Sequence, residues 1–219
     1  MKHYAGWMFD MDQTLIASAI NFDDMRQACI QELHLANVVL PEEVGEKPPP
    51  AQLIEAGRKY EKQYGNNGLV ERMYACVAAC EMEGMKEAEA EAGAKELVSY
   101  LSKEAELVVV TNNATESAIT ALRNNGLLSY FQAVYGRDRL QALKPSPDSV
   151  KKVLHDYPMI SAKDWVMIGD SWIDGKAANL AGVDFISYHA ANLTENEIIP
   201  VLETESLHDL YQYLREVKQ

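Results

Sequence analysis

Five short apolar runs alternate with longer stretches patterned as helices, and this alternation limits the chain to few architectures. The runs are YAGWMF (4–9), ELVVV (106–110), AVYG (133–136), DWVMI (164–168) and VDFISY (183–188). Runs of this length and character predict buried strands. Between them, ATESAITALRNNGL predicts a helix with Ile119 and Leu122 on one face and Gly126 as its stop. SPDSVKKVLHDY predicts a second, with Ser146 as N-cap, Pro147 at the first helical position, and Val150, Val153 and Leu154 on one side. IDGKAANLAGV, whose small residues suit close helix–sheet packing, and the amphipathic ESLHDLYQYLREV complete the series. Strand and helix in alternation predict an α/β fold: a doubly wound parallel sheet, Rossmann-like, with helices on both faces.

Residues 17–90 break the alternation. NFDDMRQACIQELHL, AQLIEAGRKYEKQY and LVERMYACVAACEMEGM read as helices, PEEVGEKPPP as a loop and GNNG as a turn. The expectation is an α/β core of 1–16 and 91–219, with a smaller all-helical cap domain, 17–90, inserted after the first strand. KEAEAEAGAKEL, biased toward Ala and Glu, reads as a solvated linker running into a helix start.

A chain of 219 residues, 47% hydrophobic, is long enough for one sizeable core and a satellite. The net charge of −13 argues against a general grip on nucleic acid, yet leaves room for a small anionic substrate at a locally positive site. Three cysteines, Cys29, Cys76 and Cys80, form no disulfide framework and predict reduced thiols in a cytoplasmic protein. The N-terminus reaches Asp10 too early for a signal peptide, and no apolar run approaches the roughly 18 residues of a membrane span.

Three of the strands end in polar residues. The first is followed by Asp10, Asp12 and Thr14, the second by Thr111, Asn112 and Asn113, and the fourth by Gly169, Asp170, Ser171 and Asp174; Lys144 follows the third. Ligands of parallel sheets bind beyond the carboxyl ends of the strands, so these groups are expected to meet in one crevice. Several carboxylates coexist there if a divalent cation neutralises them. A hard ion with oxygen ligands points to magnesium, with Asp10 and Asp170 as the best ligand candidates. A carboxylate next to such an ion can attack phosphorus in a phosphate monoester, while Lys144 and Thr111 hold the other phosphate oxygens. If the chain turns sharply after Asp10, Asp12 is free to protonate the departing alkoxide.

The segments DMDQTL, VVVTNN, LKPSPD and MIGDSWIDGKAANLAGV, in that order and each at a strand end, resemble the four motifs of the haloacid dehalogenase superfamily. The likeness is greatest to its phosphatase branch around phosphoglycolate phosphatases, which carries a helical cap after the first motif. The resemblance implies a magnesium-dependent phosphatase acting on a small phosphorylated metabolite through an aspartyl-phosphate intermediate, with the cap as a closing lid that selects the substrate. It makes Asp10 the nucleophile and Asp12 the general acid and then base. Asp10, the backbone carbonyl of Asp12, and Asp170 would bind magnesium; Thr111, Asn112 and Lys144 would grip phosphate; Asp174 would support the metal shell through water or Lys144. The family usually has glycine where this chain has Gln13, which puts the loop geometry or the entrance in question. The second aspartate, Asp12, argues against dehalogenation and phosphonate hydrolysis.

Other readings stay open on sequence alone. A phosphosugar mutase uses the same aspartate pair, a receiver-type module also carries a phospho-aspartate beside a threonine and a lysine, and Gln13 would suit a non-catalytic binding protein. Asp174 reads equally as a helix cap, and Ser171 as a loop residue. Cys76 and Cys80 read as packing residues, and His189 as structural. Arg26, Arg58, Lys59, Lys62 and Arg72 of the cap are candidates for attracting an anion. The sequence carries no signal for an oligomeric state.

Overall fold

A computed structural model describes residues 2–40 and 47–217. The chain divides into two compact units, Met1–Ser18 with Ala88–Gln219, and Ala19–Glu87.

The first unit is built on a 6-stranded parallel sheet. Its strands are β1 (Gly6–Phe9), β4 (Glu106–Val110), β5 (Ala133–Tyr135), β6 (Trp165–Ser171), β7 (Asp184–Ala191) and β8 (Leu202–Thr204). Two short segments, β2 (Ile16–Ala17) and β3 (Glu89–Ala90), pair separately as an antiparallel ribbon. The sheet order is β5-β4-β1-β6-β7-β8. β1 therefore has β4 on one side and β6 on the other, and the winding reverses at β1, which opens a crevice beyond its carboxyl end.

Helices α4 (Ala94–Leu101), α5 (Thr115–Asn124), α6 (Asp148–Asp156), α7 (Trp172–Leu180) and α8 (Leu207–Val217) accompany the sheet. Side chains alternate across a strand. Met8, Val108, Val110, Trp165 and Met167 share a buried cluster with Val150 and Val153 of α6 and Ala177 and Ala178 of α7. Their neighbours Trp7, Phe9, Leu107, Val109, Val166 and Ile168 point the other way and are buried too, so both faces are covered.

The second unit contains α1 (Phe22–Leu35), α2 (Pro50–Tyr64) and α3 (Leu69–Gly84). Each buries one stripe at helical spacing: Met25, Cys29 and Leu33 on α1; Leu53, Ile54 and Gly57 on α2; Leu69, Met73 and Val77 on α3. Asn21 caps α1, its side chain accepting from the N–H groups of Asp23 and Asp24. Pro41–Glu46 of the expected loop lie outside the described residues.

Several expectations need correction. The first strand begins at Gly6, not Tyr4; Tyr4 is buried and its hydroxyl donates to Asp184 Oδ2 at 2.8 Å. The linker 86–97 supplies β3, whose pairing with β2 draws Ile16–Ala17 and Glu89–Ala90 into the first unit; the insertion placed at 17–90 spans Ala19–Glu87. β8 had no apolar run to announce it. α6 begins at Asp148, with Pro147 as the cap residue; Ser146 Oγ accepts from the Asp148 N–H at 3.3 Å. α5 buries Thr115, Ala118, Ala121 and Leu122, which leaves Ile119 at the margin of its face. Gly126 does sit in the left-handed region (φ 66°) just past α5, and the Leu127 N–H reaches back to the Leu122 carbonyl. Cys29 is buried, whereas Cys76 and Cys80 are half-buried.

Candidate active site

The carboxyl ends of β1, β4 and β6 bring the acidic residues together. The register pairs Phe9 with both Val109 and Ile168, and the Asp10 N–H donates to the Ile168 carbonyl at 2.9 Å. Asp10, Asp170 and Asp174 each offer a carboxylate oxygen within 4.8 Å of the others. Lys144, 134 residues from Asp10 in the chain, enters this cluster from the loop before α6. Its Nζ lies 2.6 Å from Asp10 Oδ1, 2.6 Å from Asp174 Oδ1 and 2.9 Å from the Val110 carbonyl. Three acceptors match the three N–H bonds of an ammonium.

Burial makes this arrangement costly, and charge compensates only in part. Lys144 and Asp174 are almost wholly enclosed. Burial alone would pull the Lys144 ammonium down, but Asp10 and Asp174 hold it well above the usual lysine range. Asp170 is pushed up to about 8, by burial first and then by the Asp10 and Asp174 carboxylates. Asp174 is also raised by burial, with Lys144 pulling the other way. One lysine faces three carboxylates, so the cluster favours a further positive charge. Asp10, Asp170 and Asp174 offer carboxylate oxygens, donors that a hard divalent cation such as magnesium prefers.

The match to the haloacid dehalogenase-like hydrolase family model runs from residue 7 to 188, through all four strand-end motifs. The chain belongs to that family. YfnB of Bacillus subtilis (strain 168), a protein named as a HAD-hydrolase, is 32% identical over 125 residues, 56% of this chain. The aligned part is 53% of YfnB, so the match spans about half that relative's length. A phosphoglycolate phosphatase of Neisseria gonorrhoeae is 27% identical over 207 residues, 83% of this chain and 78% of that protein. Among solved structures, YfnB bound to magnesium superposes with a TM-score of 0.61 at 24% identity, covering 97% of this chain and 99% of that one.

In this haloacid dehalogenase-like hydrolase the chain turns immediately after β1. The N–H groups of Leu15 and Ile16 return to the Met11 carbonyl, and the Gln13 N–H donates to the Ile16 carbonyl. Gln13 sits at φ 59°, in the left-handed region. The backbone shape that glycine would adopt freely is thus kept, at a cost of roughly 1–2 kcal/mol for a residue with a Cβ. Gln13 Nε2 donates to the Ser18 carbonyl at 2.9 Å, and Ser18 Oγ donates to Asp12 Oδ1. Asp12 is half-buried, so water reaches it more readily than it reaches Lys144 or Asp174. Thr14, fully buried, donates to Asp170 Oδ1 at 3.4 Å.

At the end of β4, Thr111 is buried and its Oγ1 donates to Asn113 Oδ1 at 3.1 Å. Asn112 directs its side chain at the backbone of Lys144. At the end of β6, Asp174 is a helix cap and also meets Lys144, and Ser171 is a cap rather than a loop residue. Ser171 is the N-cap of α7, and Asp174 completes a capping box, its Oδ2 accepting from the Ser171 N–H at 3.2 Å while Oδ1 faces Lys144. Gly169 makes room for that side chain: a Cβ there would stand 2.5 Å from the Asp174 carboxyl carbon.

Ser18 and the Val110 carbonyl also take part in the site. No motif spacing marks Ser18, and a carbonyl acceptor has no sequence signal. Of the cap cations, Arg26 pairs with Asp23, Arg72 with Glu32 at 2.8 Å, and Arg58 donates to the Tyr74 hydroxyl at 2.7 Å. His189 is exposed, its ring 4.6 Å from that of Tyr188. Among the described residues, no helix is long and apolar enough to cross a membrane.

Proposed function

We propose that this hydrolase cleaves small phosphate monoesters by phosphoryl transfer to Asp10, with magnesium as its cofactor. The observation that carries the reading is the group of Asp10, Asp170 and Asp174, with Lys144 bridging Asp10 and Asp174. An unreacting structural cluster gains nothing from three carboxylates around one lysine, because unpaired buried charge is expensive. Asp10, the Asp12 carbonyl and Asp170 would hold the ion, with Asp174 in support. Magnesium bound there offsets the negative charge of the phosphate oxygens and of the carboxylates.

The chain's own residues do the rest. An Asp10 carboxylate oxygen forms a bond to phosphorus as the bond to the leaving oxygen breaks, and the Asp12 carboxyl gives its proton to that oxygen. Water then attacks the phosphorus of the aspartyl-phosphate, Asp12 takes the water's proton, and inorganic phosphate leaves with Asp10 restored. Asp12 suits a proton shuttle because it is more open to water than the buried Lys144 and Asp174 and is oriented by Ser18. Lys144 holds Asp10 through Oδ1 and keeps positive charge beside the transferring group. The named relative that is a phosphoglycolate phosphatase supports a small, acidic metabolite as substrate.

Asp10→Asn is expected to fold normally and to release no phosphate from an aryl phosphate, with circular dichroism and a phosphate assay as readouts. Near-normal turnover by that variant would remove Asp10 as nucleophile. Wild-type activity is expected to vanish in a chelator and return with added magnesium; hydrolysis that persists without a divalent ion would defeat the cofactor assignment.

A further inference from the structure

We propose that the Asn112 side chain acts by seating Lys144 rather than by binding the phosphoryl group. The proposal deepens the phosphatase reading and rests on it for its kinetic consequences. Lys144 lies on a stretch outside helix and strand, so its backbone has no ladder to join. A buried N–H and C=O must nevertheless find partners. Asn112 supplies both: its Oδ1 accepts from the Lys144 N–H at 2.9 Å, and its Nδ2 donates to the Lys144 carbonyl at 3.0 Å. The two polar atoms of one side-chain amide are thus committed to one residue's main chain.

The pairing matters because of what hangs from that main chain. The ammonium of Lys144 meets Asp10, Asp174 and the Val110 carbonyl at 2.6–2.9 Å, and charge-assisted contacts this short tolerate little displacement. Asn112 is itself held in place, since Arg137 Nη1 donates to its carbonyl at 3.0 Å. The order of support runs from Arg137 to Asn112 to Lys144 to the two aspartates. Both polar atoms of the Asn112 amide hold Lys144, and one Nδ2 hydrogen beyond that pairing is all the side chain could offer a phosphate oxygen. Asn112 is a positioning residue, and Lys144 is the group it positions.

The test is a double-mutant cycle on the full chain with magnesium, using inorganic phosphate as the probe in calorimetry and an aryl phosphate for turnover. Asn112→Ala is expected to weaken phosphate binding and lower kcat by about tenfold each, as loss of two hydrogen bonds to a site of this kind predicts. On a Lys144→Met background it is expected to change phosphate affinity less than about twofold, because residues acting through one another are not additive. A full additional loss on that background would mean that Asn112 touches phosphate itself, and would overturn the proposal. A crystal structure of Asn112→Ala supplies a readout independent of turnover: Lys144 Nζ is expected to leave Asp10 and Asp174, and an unmoved Nζ would also overturn it. Should the wild type bind no phosphate and cleave no ester, the phosphatase reading fails, while that displacement still decides the role of Asn112. Asn112→Thr, which likewise lacks the amide, carries the same cycle if the alanine variant does not fold.

Discussion

Two ion pairs of nearly equal length behave as different physical objects in the two units. In the helical unit, Arg72 joins α3 to Glu32 of α1 at 2.8 Å, with the arginine side chain 49% exposed. In the α/β unit, Lys144 meets Asp10 and Asp174 at 2.6 Å, with its side chain 2% exposed. Water screens the first pair, so it is worth at most about 1 kcal/mol. The second has given up its hydration, so its partners depend on each other and on nearby backbone groups such as the Val110 carbonyl. Short distance alone does not mark a functional charge. Enclosure together with an imbalance of sign does, and of these two sites the strand-end cluster has both.

The largest expected effect comes from removing the enclosed cation. Lys144→Met leaves three carboxylates without their lysine and is expected to cost roughly 3–5 kcal/mol of stability as well as turnover. Chemical denaturation at pH 7 measures this; a loss below 1 kcal/mol would place Lys144 in the same class as Arg72.

Next in size is a stability gain that accompanies a loss of function. Asp170 has its folded pKa raised from 3.8 to about 8, so the folded state holds a proton that the unfolded state releases. Stability without a divalent ion therefore falls as pH rises from about 4 to about 8 and then levels, because the folded state binds more protons across that window. Asp170→Asn removes this dependence. In a chelator at pH 8 it is expected to melt higher than the wild type, by roughly 2–4 °C for each kcal/mol recovered, while hydrolysing nothing. Equal melting points at pH 5 and pH 8 for the wild type would show that Asp170 carries no such strain.

A smaller effect is expected at Gly169, where a Cβ would meet the Asp174 carboxyl group. Gly169→Ala should cost roughly 1–3 kcal/mol through overpacking and should lower kcat by moving Asp174 off Lys144. An unchanged kcat would show that the capping role of Asp174 is its only one. The smallest effect belongs to the surface pair. Arg72→Ala is expected to change stability by less than about 1 kcal/mol and to leave kcat unaltered. A larger shift in kcat would give the helical unit's cations the anion-attracting role considered for them from sequence.

Much of this was legible along the chain. The runs at 106–110 and 164–168 announced β4 and β6 because strands covered on both faces need continuous apolar sequence. The helices of the insertion were legible as whole segments such as NFDDMRQACIQELHL, while the Asn21 cap and the buried stripe of Met25, Cys29 and Leu33 came from the structure. β2, β3 and β8 were not, because two or three residues of mixed character carry no period. At the site, the types and order of Asp10, Asp12, Thr111, Lys144, Asp170 and Asp174 could be read. The direction in which Asn112 points could not, because an amide serves a ligand and a neighbouring backbone equally well.

What the sequence determined by itself is the alternation of elements and the placing of an acid, hydroxyl or lysine where each strand stops, since hydrophobic period and local turn chemistry are short-range properties. What the tertiary structure alone decided is the pairing of those groups. β1 lies between β4 and β6, so a lysine 134 residues from Asp10 comes within 2.6 Å of it. The raised pKa of Asp170 follows from that packing. Electrostatic energy depends on distance and burial, and neither exists until the chain has folded.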